Sequence, residues 1–177
     1  MEDAKVLENY TYEDYLDIDK STQERVELIF GKIYMMAGAS ALHQDTVLSF
    51  ALKLKLISKE QQKCLPRVAP YDLKLKVDGK INVVQPDIML FCDDEKPCAI
   101  FEVLSPSTAL KDKTVKKELY EKSGIIEYFL VNAEYKLVDK FELIDGEYKY
   151  IGAFGEEDEL EIKCLGVKIE LNEVFEF

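Results

Sequence analysis

Polar and apolar positions along the chain follow two rhythms, one of helices and one of strands. At 11–17 (TYEDYLD), Thr11 stands three residues before Asp14, the spacing at which a cap residue and an acid satisfy each other's amides. A short N-terminal helix follows from it. The run RVELIFGKIYMMAG places Phe30-Gly31 between two β-prone stretches, the pattern of a hairpin. Residues 42–60 are rich in helix formers. Val47, Ala51, Leu54 and Ser58 trace one face, and Leu48, Leu52 and Leu56 widen it, so this helix is expected to be substantially buried.

From Tyr71 to Phe91 the pattern is that of a strand pair. YDLKLKV alternates, Asp78-Gly79 supplies a type I′ turn, and INVVQPDIMLF returns. CAIFEVL is nearly all apolar, as in a central strand covered on both faces. The Ser-Pro-Ser-Thr stretch at 105–108 then punctuates the chain and caps a helix over about 108–123, ended by Gly124. IEYFLVN reads as another buried strand, and KLVDKFELI with EYKYIG as a hairpin across Asp145-Gly146. The C-terminal stretch is expected to be irregular, with one terminal strand at most. The alternation of helices and strands predicts an α/β fold, a single domain with a mixed central β-sheet flanked by helices. The expected domain spans 1–177, with its core in about 11–155 and an acidic segment at 156–177.

A length of 177 residues, 47% of them hydrophobic, supplies one sizeable core and excludes a disordered or collagen-like chain. The net charge of −12 argues against a globally basic nucleic-acid binder. That charge sits at the ends: nine acids and three bases in residues 1–30, eight acids and two bases in 156–177, and a neutral middle. Within the middle, Lys53, Lys55, Lys59, Lys63 and Arg67 are interrupted only by Glu60. Such a run is commonly a solvated helix face, yet phosphate binding depends on local charge.

Cys64, Cys92, Cys98 and Cys164 contain no CxxC pair and there is a single His, so zinc sites of Cys₂His₂ or Cys₄ spacing are effectively excluded on sequence. The acidic N-terminus lacks the order of a signal peptide, and no apolar run approaches the roughly twenty residues of a membrane span. The expectation is a cytoplasmic protein with reduced thiols.

Two acids interrupt or end apolar strands: Asp87 in Gln-Pro-Asp and Glu102 in Phe-Glu-Val. Burying an unpaired carboxylate costs several kcal/mol, so each needs a partner or a place at a cavity. Two carboxylates on neighbouring strands suit a hard divalent cation. Each could equally cap a loop or pair with a lysine.

A Pro-Asp, fifteen residues and then a Glu in a buried strand resembles the PD-(D/E)XK nuclease superfamily. Within it, the chain is similar to a bacterial restriction-endonuclease-like family once catalogued as a domain of unknown function. TYEDYL at 11–16, VELIFGKIY at 26–34, His43-Gln44, VVQPDIML at 83–90, FEVLSPST at 101–108, Asp112 with Lys116 and Tyr120, and GIIEYFLV at 124–131 carry the resemblance. It implies a metal-dependent endonuclease acting on DNA, with Mg²⁺ or Mn²⁺ held by Asp87, Glu102 and the Val103 carbonyl. It also implies a homodimer. The superfamily's lysine would fall at 104, where this chain has Leu104. The resemblance moves that role to Lys116, one turn after Asp112, with Lys113 and Lys117 as rivals. As a lone i,i+4 pair, Asp112 and Lys116 would read as an exposed ion pair. Glu27 matches an acid that the superfamily often brings from an early element, and it also suits a strand edge beside Arg25 or Lys32. His43 reads as a site-lining hydrogen bonder or a helix-start residue, Asp72 as a further acid for the same cleft or an edge charge, and Tyr120 as packing. Two other classes stay open: a binding or regulatory module on the same fold without turnover, and an acidic protein imitating the charge of DNA.

Overall fold

A computed structural model describes residues 7–36, 38–93 and 95–176. In chain order the elements are β1 (Leu7–Glu8), α1 (Tyr12–Ser21), β2 (Val26–Ile29), β3 (Lys32–Met35), α2 (Ala41–Gln61), β4 (Leu65–Val68), β5 (Leu73–Val77) and β6 (Lys80–Val84). There follow β7 (Ile88–Phe91), β8 (Ala99–Val103), α3 (Ala109–Lys111), a π-helical turn (Asp112–Lys116), α4 (Lys117–Lys122) and β9 (Glu127–Asn132). The chain ends with β10 (Leu137–Ile144), β11 (Glu147–Gly155), β12 (Glu159–Ile162), β13 (Val167–Glu170) and α5 (Asn172–Phe175). The chain groups into two compact units, one made of the residues up to Gly38 with Tyr71–Gln85, the other of Ala39–Pro70 with Pro86 to the end.

The first unit is a five-stranded sheet ordered β1-β3-β2-β6-β5 with α1. Its helix starts at the expected capping box, in which Thr11 and Asp14 hold each other's amides. Phe30 and Gly31 both take positive φ (49° and 75°) in the β2–β3 turn, as a two-residue hairpin requires. Tyr15, Val26, Leu28, Ile33 and Val83 form its core.

The second unit is built on a six-stranded sheet ordered β11-β10-β9-β8-β7-β4. Here β8 and β9 are parallel and their neighbours antiparallel, so the sheet is mixed, as expected. Strand β8 is buried along its whole length. Phe101 and Val103 face a core shared with Phe50 and Leu54 of α2 and Phe129 and Val131 of β9. Phe101 stacks on Phe129 with ring centroids 4.3 Å apart.

Four expectations are corrected. INVVQPDIMLF is two strands of different sheets, because Pro86 lacks the amide that would continue the ladder. In α2, the buried positions are Thr46, Phe50, Leu54 and Ser58, whereas Leu48, Leu52 and Leu56 are exposed. Within the acidic segment, residues 156–176 form the β12–β13 hairpin and α5, and Leu160, Ile162, Ile169 and Phe175 belong to the core. The cysteines are not free thiols: Cys64 is bridged to Cys92 and Cys98 to Cys164. No helix among the described residues is long and apolar enough to cross a membrane.

Candidate active site

The antiparallel pairing of Ile88 with Phe101 makes β7 and β8 neighbours, as the two-carboxylate reading requires. One step further along that register, Asp87 lies opposite Glu102. The two acids are laced through each other's backbone. Asp87 Oδ2 accepts the Val103 N–H at 2.8 Å, and Glu102 Oε2 lies 3.4 Å from the Asp87 N–H. Strand alternation explains the rest. With Phe101 and Val103 turned to the core, Glu102 faces the opposite side of β8, towards the helical segment that follows it.

That segment supplies the lysine. Lys116 Nζ donates to Glu102 Oε1 at 2.9 Å and lies 3.6 Å from Asp112 Oδ1. Of the three rival lysines, Lys116 is the one bonded to Glu102. Lys117 Nζ instead sits 4.1 Å over the Phe141 ring. Lys113 lines a neighbouring cavity. The expected exposed pair is corrected: the Lys116 and Asp112 side chains are only 3% and 2% exposed. They lie in the π-helical turn, where a widened backbone carries both inward. Turns of this kind are frequent at functional sites.

Tyr120 was missed. Its hydroxyl donates to Glu102 Oε1 at 2.7 Å, so this carboxylate oxygen is held by both a lysine and a phenol. The available signal was a tyrosine at a core position four residues after Lys116, since a buried tyrosine hydroxyl usually needs a partner. Tyr128 packs edge-on against Tyr120 and donates to the Asp112 carbonyl at 3.0 Å, which fixes the π-helical turn to β9. Burial, with Glu102 and Asp112 nearby, pushes the Tyr128 phenol far above its ordinary pKa, so it remains a donor.

His43, at the start of α2, completes the cluster. Ser40 caps that helix through the His43 N–H, and the imidazole Nε2 lies 3.2 Å from Asp87 Oδ2. The Asp87 hydrogen bond raises the His43 pKa above 6.5 against the opposing effect of burial, and the Val103 carbonyl acts in the same direction as Asp87. Beside His43 opens a cavity of about 250 Å³ lined by Ser40, Leu104, Ser105, Lys113 and Asn132 among others.

The structure thus brings together His43, Asp87, Glu102, Val103 and Lys116 with Asp112 and Tyr120. Glu27 and Asp72 belong to the first unit. There Glu27 accepts the Gln85 N–H at 2.9 Å, and Asp72 accepts Gln85 Nε2 at 2.9 Å and the Tyr15 hydroxyl at 3.4 Å.

This constellation prompts comparison with known proteins. The profile of a family named Uma2, described as "Putative restriction endonuclease", matches residues 12–172. The chain belongs to this family. Two proteins of Synechocystis sp. (strain ATCC 27184 / PCC 6803 / Kazusa) are similar along nearly their whole length. "Uncharacterized protein slr1290" is 29% identical over 174 residues, covering 92% of this chain and 90% of that one. "Uncharacterized protein sll1609" is 26% identical over 170 residues, covering 89% and 94%. Among solved structures, the chain resembles "a putative nuclease belonging to DUF820" from Anabaena variabilis ATCC 29413. Their TM-score is 0.74 over 93% of this chain and 97% of that one, at 16% identity, a likeness of fold. The Uma2 member is therefore an α/β protein of the restriction-endonuclease-like kind.

Proposed function

We propose that this Uma2 protein is a divalent-metal-dependent endonuclease that hydrolyses DNA phosphodiester bonds. The observation that carries the reading is the contact between Lys116 Nζ and Glu102 Oε1 at 2.9 Å. It supplies from the helix the cation that Leu104 denies the strand motif.

The donor set fits a hard cation. Lys116 and Tyr120 both hold Glu102 Oε1, and Glu102 Oε2 lies 3.4 Å from the Asp87 N–H, on the side of Asp87. His43 and the Val103 amide both engage Asp87 Oδ2, so Oδ1 is the oxygen left to meet an ion. Asp87, Glu102 and the Val103 carbonyl are then the ligands, all oxygen, as Mg²⁺ or Mn²⁺ prefers. When bound there, such an ion would polarise a phosphate oxygen, acidify the attacking water and stabilise the leaving oxygen.

The chain's own residues do the positioning. Asp87 is clamped by an amide and an imidazole, and Glu102 by an ammonium and a phenol, so little reorganisation is needed when substrate arrives. Lys116 pairs with Glu102 in its buried site and brings positive charge to where the phosphate becomes more negative. Lys113, on the cavity wall, is placed to meet a backbone phosphate.

The test is cleavage of supercoiled and linear DNA by the purified chain in Mg²⁺ or Mn²⁺. Cleavage that stops on chelation and in Asp87→Ala supports the reading. A folded chain that binds DNA but never cuts it would leave the non-catalytic module instead.

A further inference from the structure

Away from the carboxylates, the four cysteines of the chain converge on one spot of the second unit. Cys64 precedes β4, Cys92 follows β7, Cys98 leads into β8, and Cys164 sits in the turn between β12 and β13. Beyond the two bridges, Cys92 Sγ lies 3.3 Å from Cys98 Sγ, and the sulfurs of Cys92, Cys98 and Cys164 all lie within 4.8 Å of one another. A tetrahedral zinc with Zn–S bonds of about 2.3 Å separates its sulfurs by about 3.8 Å. Cys92, Cys98 and Cys164 are therefore already grouped at the scale that one such ion spans, and the bridge to Cys92 keeps Cys64 beside them.

We propose that in the reduced protein Cys64, Cys92, Cys98 and Cys164 form a tetrathiolate site for Zn²⁺, with the two disulfides as its oxidised alternative. Each disulfide takes two electrons from a dithiol, which gives up two protons and closes to its own disulfide, or from a phosphine, which becomes the phosphine oxide while water supplies the oxygen and the two protons; four thiols result. Binding one Zn²⁺ releases the four S–H protons and leaves a site of charge −2.

Besides the two bridges, backbone hydrogen bonds and strand pairing also hold the segments that carry the sulfurs. Glu127 donates its N–H to the Cys98 carbonyl at 3.0 Å, and its carboxylate accepts the N–H groups of Lys163 and Cys164, both at 2.9 Å. The Cys98 N–H reaches the Leu90 carbonyl at 2.8 Å, within the β7–β8 hairpin. Pairing of Leu65 with Phe91 brings Cys64 next to Cys92. Cys64 has φ +59°, a left-handed conformation that a cysteine adopts only where its surroundings hold it. Reduction thus leaves four thiols side by side on fixed elements.

The site is also reachable. Cys64 and Cys92 line a cavity of about 590 Å³ whose wall includes Lys55, Lys59 and Arg67. Those cations favour thiolates over thiols and offset the charge of a tetrathiolate. In a reducing compartment, which opposes disulfides, zinc would take over the task of tying the C-terminal hairpin to the sheet.

The decisive experiment uses the full chain reduced by a phosphine, exposed to Zn²⁺, desalted and assayed for bound metal. About one zinc per chain is expected. Replacing Zn²⁺ with Co²⁺ should give the intense bands of a tetrahedral cobalt thiolate, which carboxylate ligands cannot produce. The bands should persist in Asp87→Ala, vanish in the double variant Cys98→Ser/Cys164→Ser, and be missing from the oxidised chain. Reduced wild-type protein that retains no zinc, or shows no thiolate bands with cobalt, overturns the proposal without any variant. Equal bands from the oxidised chain would overturn it too.

Discussion

Two lysines are buried in the second unit, each between two carboxylates, and they are built to different ends. Lys140 lies 3.1 Å from Glu127 and 2.8 Å from Glu142, and donates to the Glu161 carbonyl at 2.8 Å. Glu127 gives both its oxygens to backbone amides, and Glu142 is capped by Lys163, a side chain 52% exposed. This cluster meets solvent through a cation that closes it. The Lys116 cluster leads instead through Glu102 to Asp87, a carboxylate 17% exposed, and to His43 beside a cavity. A buried ion pair alone is weak evidence for either stability or function. What informs is the group with which the cluster ends: a lysine seals one, and the other ends in a carboxylate and an imidazole beside a cavity.

The sharpest way to break this contrast is at the open end. Asp87→Asn keeps the shape and removes the charge that would hold a metal. It should lower DNA cleavage by roughly a thousandfold or more, since several kcal/mol of transition-state stabilisation goes with the ion. The melting rise induced by Mn²⁺ should disappear with it. A variant that loses cleavage yet keeps the full melting rise would remove Asp87 from the ligands.

Next come the two lysines themselves. Lys116→Met and Lys140→Met each strand buried carboxylates, so each should cost about 3–5 kcal/mol in urea denaturation. Only Lys116→Met should also cut the cleavage rate, by roughly a hundredfold, at temperatures where both variants remain folded. Equal loss of cleavage from both would mean that the clusters do not differ in kind.

What the sequence disclosed of these clusters follows from local signals. Asp87 and Glu102 stood out because each breaks an apolar run, and the capping box and the Gly-bearing turns were legible because their chemistry is local. The burial of Lys116 was not, since nothing in KDKTVKK announces a π-helical turn. Leu48, Leu52 and Leu56 misled because periodicity gives a stripe but not its width. The β12–β13 hairpin did carry a signal, with Leu160 and Ile162 alternating with acids before Gly166, but the acidity of the segment masked it. The cysteine cluster was illegible for a different reason: its members are 28 and 66 residues apart along the two bridges. Strand pairing alone gathers them.

A smaller effect sharpens the comparison within the open cluster. Tyr120→Phe removes one donor from Glu102 and leaves Lys116 in place. A hydrogen bond to a charged group is worth about 1.5–3 kcal/mol, so stability should fall by that order. Cleavage should fall less than in Lys116→Met, because Tyr120 positions a ligand and carries no charge to the phosphate. A rate loss equal to that of Lys116→Met would promote Tyr120 to the same rank.

The smallest effect belongs to the sealed cluster and is read through pH. Burial pushes the Glu142 pKa up, but hydrogen bonds from Lys140 and Lys163 outweigh it and hold the carboxyl below its ordinary value of 4.5. A folded-state pKa below the unfolded one means that the unfolded chain binds the proton first. The stabilisation from Glu142 is therefore fully present above pH 4.5 and declines as pH falls through the folded-state value. Urea denaturation of wild type and Glu142→Gln should show a constant gap from pH 7 to about 5, narrowing below that. Lys163→Met should lower stability less than Lys140→Met, because Lys163 is exposed and its charge is screened by solvent. If the two curves run parallel into acid, Glu142 gains nothing from its lysines. The seal on this cluster would then rest on Glu127 and its amides alone.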